Sequence, residues 1–181
     1  MKYAVAIDIG GTNTRVALID EEYKIEERAQ FSTDADNPDV TLFKIKQAIE
    51  SFDKEIVGVG MSCPGPLDLI EGKILTTPNL HGKWHGLCIT KELENLIHKP
   101  VYLENDANLA ALAEAIIGEG KEYNIVQYLT VSTGLGAGLV INKKVFQGAH
   151  GFANEVANVC LWNNGPSHGS IYPGGVEAIC S

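Results

Sequence analysis

Apolar and polar positions switch along this chain between a period of two and a period near that of a helix, the alternation expected of an α/β protein. YAVAIDI, residues 3–9, reads as a buried strand, and TRVALID, residues 14–20, as its antiparallel partner after a tight GTN turn. A third strand is expected over residues 24–31. Asn37 ahead of Pro38 marks a helix start, and Val40, Leu42, Phe43, Ile45, Ile49 and Phe52 carry helical spacing through Phe52. Residues 55–61 return to strand character and run into Pro64, Gly65 and Pro66, a stiff loop. Residues 68–86 are loop-rich and hold Trp84, a core anchor or a platform for a ring. A helix over residues 90–98, a short strand at 101–104 and an Ala- and Leu-rich helix over 105–118, closed by glycine, follow. Beyond a hinge expected at 118–123 come a strand in NIVQYLTVS, its hairpin partner AGLVI and a last helix beginning near Pro173. The pattern divides the chain into one lobe over residues 1–118 and the beginning of a second, incomplete lobe over 119–181.

Two glycine-rich turns punctuate these strands, DIGGT at residues 8–12 and STGLGAG at 132–138. Both follow an apolar run, so each lobe opens with the same strand, turn and strand. A glycine turn lets backbone N–H groups approach an anion that a Cβ would hold away. The hydroxyls of Thr12, Thr14, Ser132 and Thr133 add donors, and ATP is the ligand that this pair of turns suits best.

Hydrophobic residues make up 45% of the 181 and charged residues 20%, a globular mixture. The net charge of −9, with no cluster of Lys and Arg, argues against a nucleic-acid surface. A small anion must then be held by local dipoles. No apolar run is long enough to span a bilayer and no basic-then-apolar leader is readable, which makes the cytoplasm the expected compartment. The four cysteines, Cys63, Cys88, Cys160 and Cys180, form no C-x-x-C pair and are expected as free thiols.

NDAN, residues 105–108, joins a strand end to a helix start, which sets Asp106 in the first helical turn. The macrodipole there suits a negative charge, as a group accepting a proton from an alcohol requires; the same position also suits a helix cap. Asn79, Glu155, Asn158 and Glu177 lie in loops or near element ends, where amides and carboxylates can hold adjacent sugar hydroxyls or serve as caps. Asp8 ends the first strand at the mouth of its turn. Beside a nucleotide such a carboxylate needs Mg²⁺ or its water shell between them; otherwise it is a turn-forming residue.

The strings DIGGTNTRVALID, GMSCPGPLD, TTPNLHGKW, ENDANLAALAE, TVSTGLGAGLV and GFANEVAN together resemble the ROK family of sugar kinases and sugar-responsive repressors. They run in family order through nearly the whole chain. The resemblance implies an actin-like, ribonuclease H-like ATPase fold, with the N-terminal lobe complete and the C-terminal lobe begun. It implies ATP-dependent phosphorylation of a hexose by the full-length form, glucokinase-like, with N-acetylmannosamine or β-glucoside kinases and a non-catalytic sugar-binding remnant as alternatives. Asp106 would be the general base. Asp8, Gly10, Gly11, Thr12, Thr14, Thr133, Gly134 and Gly136 would serve the nucleotide and its Mg²⁺. Gly65, Asn79, Asn105, Asp106, Glu155, Asn158 and Glu177 would line the sugar.

Two departures from the family pattern bear on function. A structural zinc is common in the family, yet Asn158 stands at the histidine position, and His168, Ser170 and Gly175 stand where thiolates belong; no zinc site is expected. Relatives also continue for roughly another hundred residues, a domain-sized block, that helps to grip adenosine. The first strand begins at Tyr3, leaving no room for the helix-turn-helix of the family's repressors, so DNA binding is not expected. A homodimer is left open.

Overall fold

The computed structural model describes every residue of the chain except Pro78, His168 and Ser170, and it forms two compact units, Met1–Asp106 and Ala107–Ser181. In chain order the first unit holds β1 (Tyr3–Ile9), β2 (Asn13–Asp20), β3 (Ile25–Ser32), α1 (Pro38–Ser51), β4 (Ile56–Cys63), β5 (Leu67–Asp68), β6 (Lys73–Ile74), α2 (Ile89–Ile97) and β7 (Val101–Asn105). The helix α3 (Asp106–Ile116) begins at the division. The second unit continues with β8 (Ile125–Val131), β9 (Leu135–Ile141), β10 (Lys144–Val145) and α4 (Val176–Cys180).

β1, β2 and β3 form an antiparallel meander, and β4 and β7 then add in parallel on the other side of β1, giving the order β3-β2-β1-β4-β7. Parallel strands need crossovers, which the helical stretches supply. Asn37, extended at φ −127°, accepts the Asp39 N–H with its side chain at 3.3 Å, and Pro38 opens α1 at the position where a missing N–H costs nothing. Leu42, Ile45 and Ile49 of α1 join Val5, Ile7 and Ile9 of β1 and Val16 and Leu18 of β2 in one core. Trp84 lies fully inside that core, and its indole N–H donates to the Asp34 carbonyl at 2.9 Å. This resolves its two readings in favour of an anchor. Residues 68–86, expected as loop, also carry the β5–β6 hairpin and a single 3₁₀ turn at Gly82–Trp84.

The second sheet repeats the meander in the order β10-β9-β8. α3 packs on it through Ala111 and Ala115 against Val140, so the compact units divide ahead of α3 rather than after it at Gly118. The approach is close because Gly136 and Gly138 lack side chains. A Cβ on Gly138 would stand 2.6 Å from the Ala107 carbonyl oxygen and 2.9 Å from the Asn108 Cα. Asn142 and Lys143, both at positive φ, make the two-residue turn from β9 to β10. The Lys143 ammonium donates to the carbonyls of Ala115, Lys121 and Tyr123 at 2.7, 2.6 and 3.0 Å and reaches Gly120 at 3.4 Å. It thereby caps α3 and ties down residues 118–123, the segment expected to be a hinge. Lys143→Met strands those carbonyls and is expected to lower stability by about 2 kcal/mol, read as a shifted urea midpoint with an unchanged slope.

Candidate functional site

In the first unit the candidate residues gather where β1, β4 and β7 end. The register aligns Arg15, Asp8, Ser62 and Glu104 in one row across β2, β1, β4 and β7. Asp8 accepts the Ser62 hydroxyl at 2.7 Å on one oxygen and pairs with the Arg15 guanidinium at 3.0 Å on the other. That ion pair is largely exposed, so its role is to orient the carboxylate more than to stabilise the fold.

The turn after β1 is held from β3. The Thr33 N–H donates to the Thr12 carbonyl at 3.0 Å and its hydroxyl to the Gly10 carbonyl at 2.7 Å. With that proton committed, the Thr33 oxygen accepts from the buried Thr14 hydroxyl at 2.9 Å. Thr14 therefore ties the turn from below, and Thr12 stays exposed above it. The Gly10 N–H closes the turn onto the Asn13 carbonyl at 2.9 Å. The next two amides, Gly11 and Thr12, have no hydrogen-bond partner among the described residues. Asn79 lies against Gly11, where a Cβ would come within 2.5 Å of its own.

Asn105 ends β7 in register with Cys63, and its amide nitrogen lies near Gly65, 3.7 Å from where a Cβ on that glycine would stand. Asp106 opens α3 and is exposed. The Cys63 thiol is pushed up to about 12, by burial first and then by the negative charges of Asp106 and Asp8. Both carboxylates therefore bear on one buried point at this end of the sheet.

The second unit holds the other glycine turn. The Ser132 N–H donates to the Gly134 carbonyl at 2.9 Å, and the Leu135 N–H donates to Glu177 at 2.7 Å. Thr133 and Gly134 between them again present two consecutive amides without a partner among the described residues. A Cβ on Gly134 would meet Glu177 Oε2 at 2.9 Å, so carboxylate and turn are in contact. Gly136 faces elsewhere: its missing Cβ gives room to Thr130 and Ala107. Glu155 and Asn158 are exposed in the segment that leads to Cys160, where the chain bridges to Gly175. α4 starts against this segment, the Val176 and Glu177 N–H groups donating to the carbonyls of Val159 and Ala157 at 3.0 and 3.1 Å. The loop between closes on backbone: Leu161 donates to the Gly174 carbonyl at 2.9 Å, and Gly174 at φ 79° packs under the Trp162 carbonyl. His168 and Ser170 lie outside the described residues. Among the described ones no group of three metal-binding side chains converges.

Sequence reasoning passed over Thr33, Arg15 and Ser62. Each acts through a partner that strand register supplies. Glu177 was foreseen for a sugar, and its bond to the second turn was not.

The ROK family pattern matches residues 4–181. The chain belongs to the ROK family. It is 33% identical over 180 residues to a glucokinase of Thermotoga maritima, covering 98% of this chain and 56% of that protein. It is 29% identical over 171 residues to a xylose repressor of Bacillus subtilis, covering 91% of this chain and 44% of the repressor. Among solved structures, the ROK hexokinase of Thermus thermophilus superposes with a TM-score of 0.88 at 32% identity, covering 98% of this chain and 59% of the other. A ROK family glucokinase of Streptomyces griseus, in complex with glucose and AMPPNP, superposes with a TM-score of 0.78 at 29% identity, covering 97% and 56%. The fold is thus the actin-like ATPase fold of ROK sugar kinases, and the chain spans a little over half the length of the kinases it matches.

Two outcomes follow. An unfolded cysteine titrates near pH ~8.5, so the raised folded value of Cys63 stabilises fully below that pH, and the contribution fades as pH climbs toward the folded value. The urea midpoint of the natural chain should fall more steeply between pH 8 and 10 than that of Cys63→Ala. Gly138→Ala should push α3 off β9, at a cost of about 3 kcal/mol or more, seen as early loss of amide protection in α3.

Proposed function

We propose that the whole protein is an ATP-dependent hexose kinase in which Asp106 is the general base. The observation that carries this reading is the repeated pair of amides without a partner among the described residues, Gly11 with Thr12 and Thr133 with Gly134, together with Asp106 exposed at the head of a helix. Consecutive amides of this kind suit phosphate oxygens, and an exposed carboxylate suits an alcohol proton. One kinase relative, bound to glucose and AMPPNP, supports the substrate classes.

In the proposed reaction a sugar hydroxyl oxygen bonds to the γ-phosphorus while the bond from that phosphorus to its bridging oxygen breaks, releasing ADP. The hydroxyl proton passes to Asp106. Asn105, Asn79, Glu155 and Asn158 hold neighbouring hydroxyls, and Gly65 lets the loop backbone approach. Glu177 accepts from Leu135 on one oxygen, which leaves lone pairs for a sugar hydroxyl and fixes the second turn at the same time. Asp8, already oriented by Ser62 and Arg15, keeps exposed oxygen surface that can receive a water of Mg²⁺. Mg²⁺ supplies charge neutralisation on the phosphates, and positioning is the remaining task of the protein.

A second reading, sugar binding without transfer, is favoured by the match to xylose repressors. Coupled ADP release with glucose, N-acetylmannosamine and a β-glucoside, beside calorimetric sugar binding, separates the two. Asp106→Asn should lower kcat by about 10²-fold or more with the sugar KM little changed. Turnover that survives the substitution removes Asp106 from the base role, and sugar binding with no ADP release in the whole protein favours the second reading.

A further inference from the structure

Two stretches of the second unit cross on glycine. Residues 160–166 lie against residues 171–177, bridged antiparallel at Cys160 and Gly175. The Leu161 and Trp162 N–H groups both donate to the Gly174 carbonyl, at 2.9 and 3.4 Å, and the Gly174 N–H donates to the Pro166 carbonyl at 2.7 Å. No side chain fits at this crossing. A Cβ on Gly165 would stand 2.9 Å from the Gly174 Cα, and one on Gly174 would overlap the Trp162 carbonyl oxygen. One on Gly175 would stand 2.6 Å from the Ile171 Cγ2 and 3.0 Å from the Tyr172 carbonyl oxygen. Gly174, at φ 79°, also holds a backbone conformation that an L side chain disfavours.

The structural zinc common in the family does not fit these residues. Zinc asks for a tetrahedral set of thiolates and imidazoles. At Gly175, where the family pattern has a thiolate, the backbone is packed too closely to admit one, and Asn158 at the histidine position offers an amide. The Cys160 thiol beside the crossing already donates to the Pro173 carbonyl at 3.7 Å. Among the described residues no three metal-binding side chains converge. The crossing leads instead into the head of α4, which has Gly175 at its N-cap and no capping side chain. The first two N–H groups of that helix, on Val176 and Glu177, are taken up by the Val159 and Ala157 carbonyls just ahead of the crossing. From this seat the Glu177 carboxylate accepts the Leu135 N–H at 2.7 Å and lies against Gly134.

We propose that the glycine crossing replaces the family's structural metal, and that Gly174 and Gly175 are positioning residues which hold the head of α4 so that Glu177 stays on the second turn. Backbone packed on backbone supplies the rigidity that metal bonds would, because carbonyl and Cα atoms in contact leave each other no room to slide. The inference goes beyond the kinase reading and does not depend on it.

The test takes the purified 181-residue chain, measures its metal content and reads the Leu135 amide by NMR. The expected result is far less than one zinc per chain and a urea midpoint unmoved by EDTA or by added zinc. Glu177→Ala shifts the Leu135 amide resonance and speeds its hydrogen exchange by about tenfold or more. Gly174→Ala does the same with Glu177 still present, a change that a role confined to folding would not produce. Gly175→Ala, whose Cβ first meets the movable Ile171 methyl, gives a smaller shift in the same direction, and it takes the place of Gly174→Ala if that chain does not fold. Lys143→Met, which loosens another corner of the unit, leaves the Leu135 resonance where it was. A Leu135 amide unmoved in both glycine variants overturns the proposal, as does an equal shift in Lys143→Met. One tightly held zinc per chain, whose removal lowers the urea midpoint, overturns it from the other side. No readout involves ATP or a sugar, so failure here leaves the kinase reading to its own experiment.

Discussion

The arrangement of the second unit depends on a steric allowance: two missing side chains on β9. Gly136 and Gly138 alternate along one face of the strand, and into the space they leave come Ala107 and Asn108, the first turn of α3. Side chains on a strand repeat with a period of two, so glycines spaced in this way clear one face only. A helix brought this near to a sheet by its backbone has little freedom to slide or roll, because carbonyl and Cα atoms do not yield as side chains do. The residue immediately before Ala107 is Asp106. The seat of the first turn of α3 within the second unit is therefore defined by glycines on another element.

Much of this could be read from the chain. The strand–turn–strand openings, the Asn37–Pro38 helix start and the helix after Asn105 appear where the apolar periodicity and cap chemistry put them. The glycine string in STGLGAG was harder, because one composition serves two purposes. Thr133 and Gly134 shape the turn, whereas Gly136 and Gly138 make room for a helix. The period-two spacing was the available signal. Thr33, Arg15 and Ser62 were out of reach for a different reason. Thr33 meets a turn two strands away, and Ser62 meets Asp8 across a parallel pairing whose register a single sequence does not state. The grouping of α3 with the second sheet was equally hidden, since its small alanines reveal close packing without naming the partner.

An acidic protein proposed to bind a nucleotide faces an electrostatic conflict, and the groups around its two turns meet it locally. At a net charge of −9 no general attraction draws in a phosphate. In the proposed reading short-range dipoles do so, and two carboxylates beside the turns already have donors: Asp8 has Arg15 and Ser62, and Glu177 has the Leu135 amide. Each acidic group near a turn is thus partly satisfied by the protein itself, which lessens its repulsion of an incoming anion.

Lys143 has a mechanical consequence. A single ammonium joins the end of α3, the loop that follows and the tip of the β9–β10 hairpin, with its own backbone held at φ 63°. Three pieces that the chain order would let flex apart are spliced at one atom. Strain applied to the helix is passed to the hairpin without slack, so this corner behaves as a strut, and a stretch that looks by composition like the softest part of the unit becomes one of its stiffer joints.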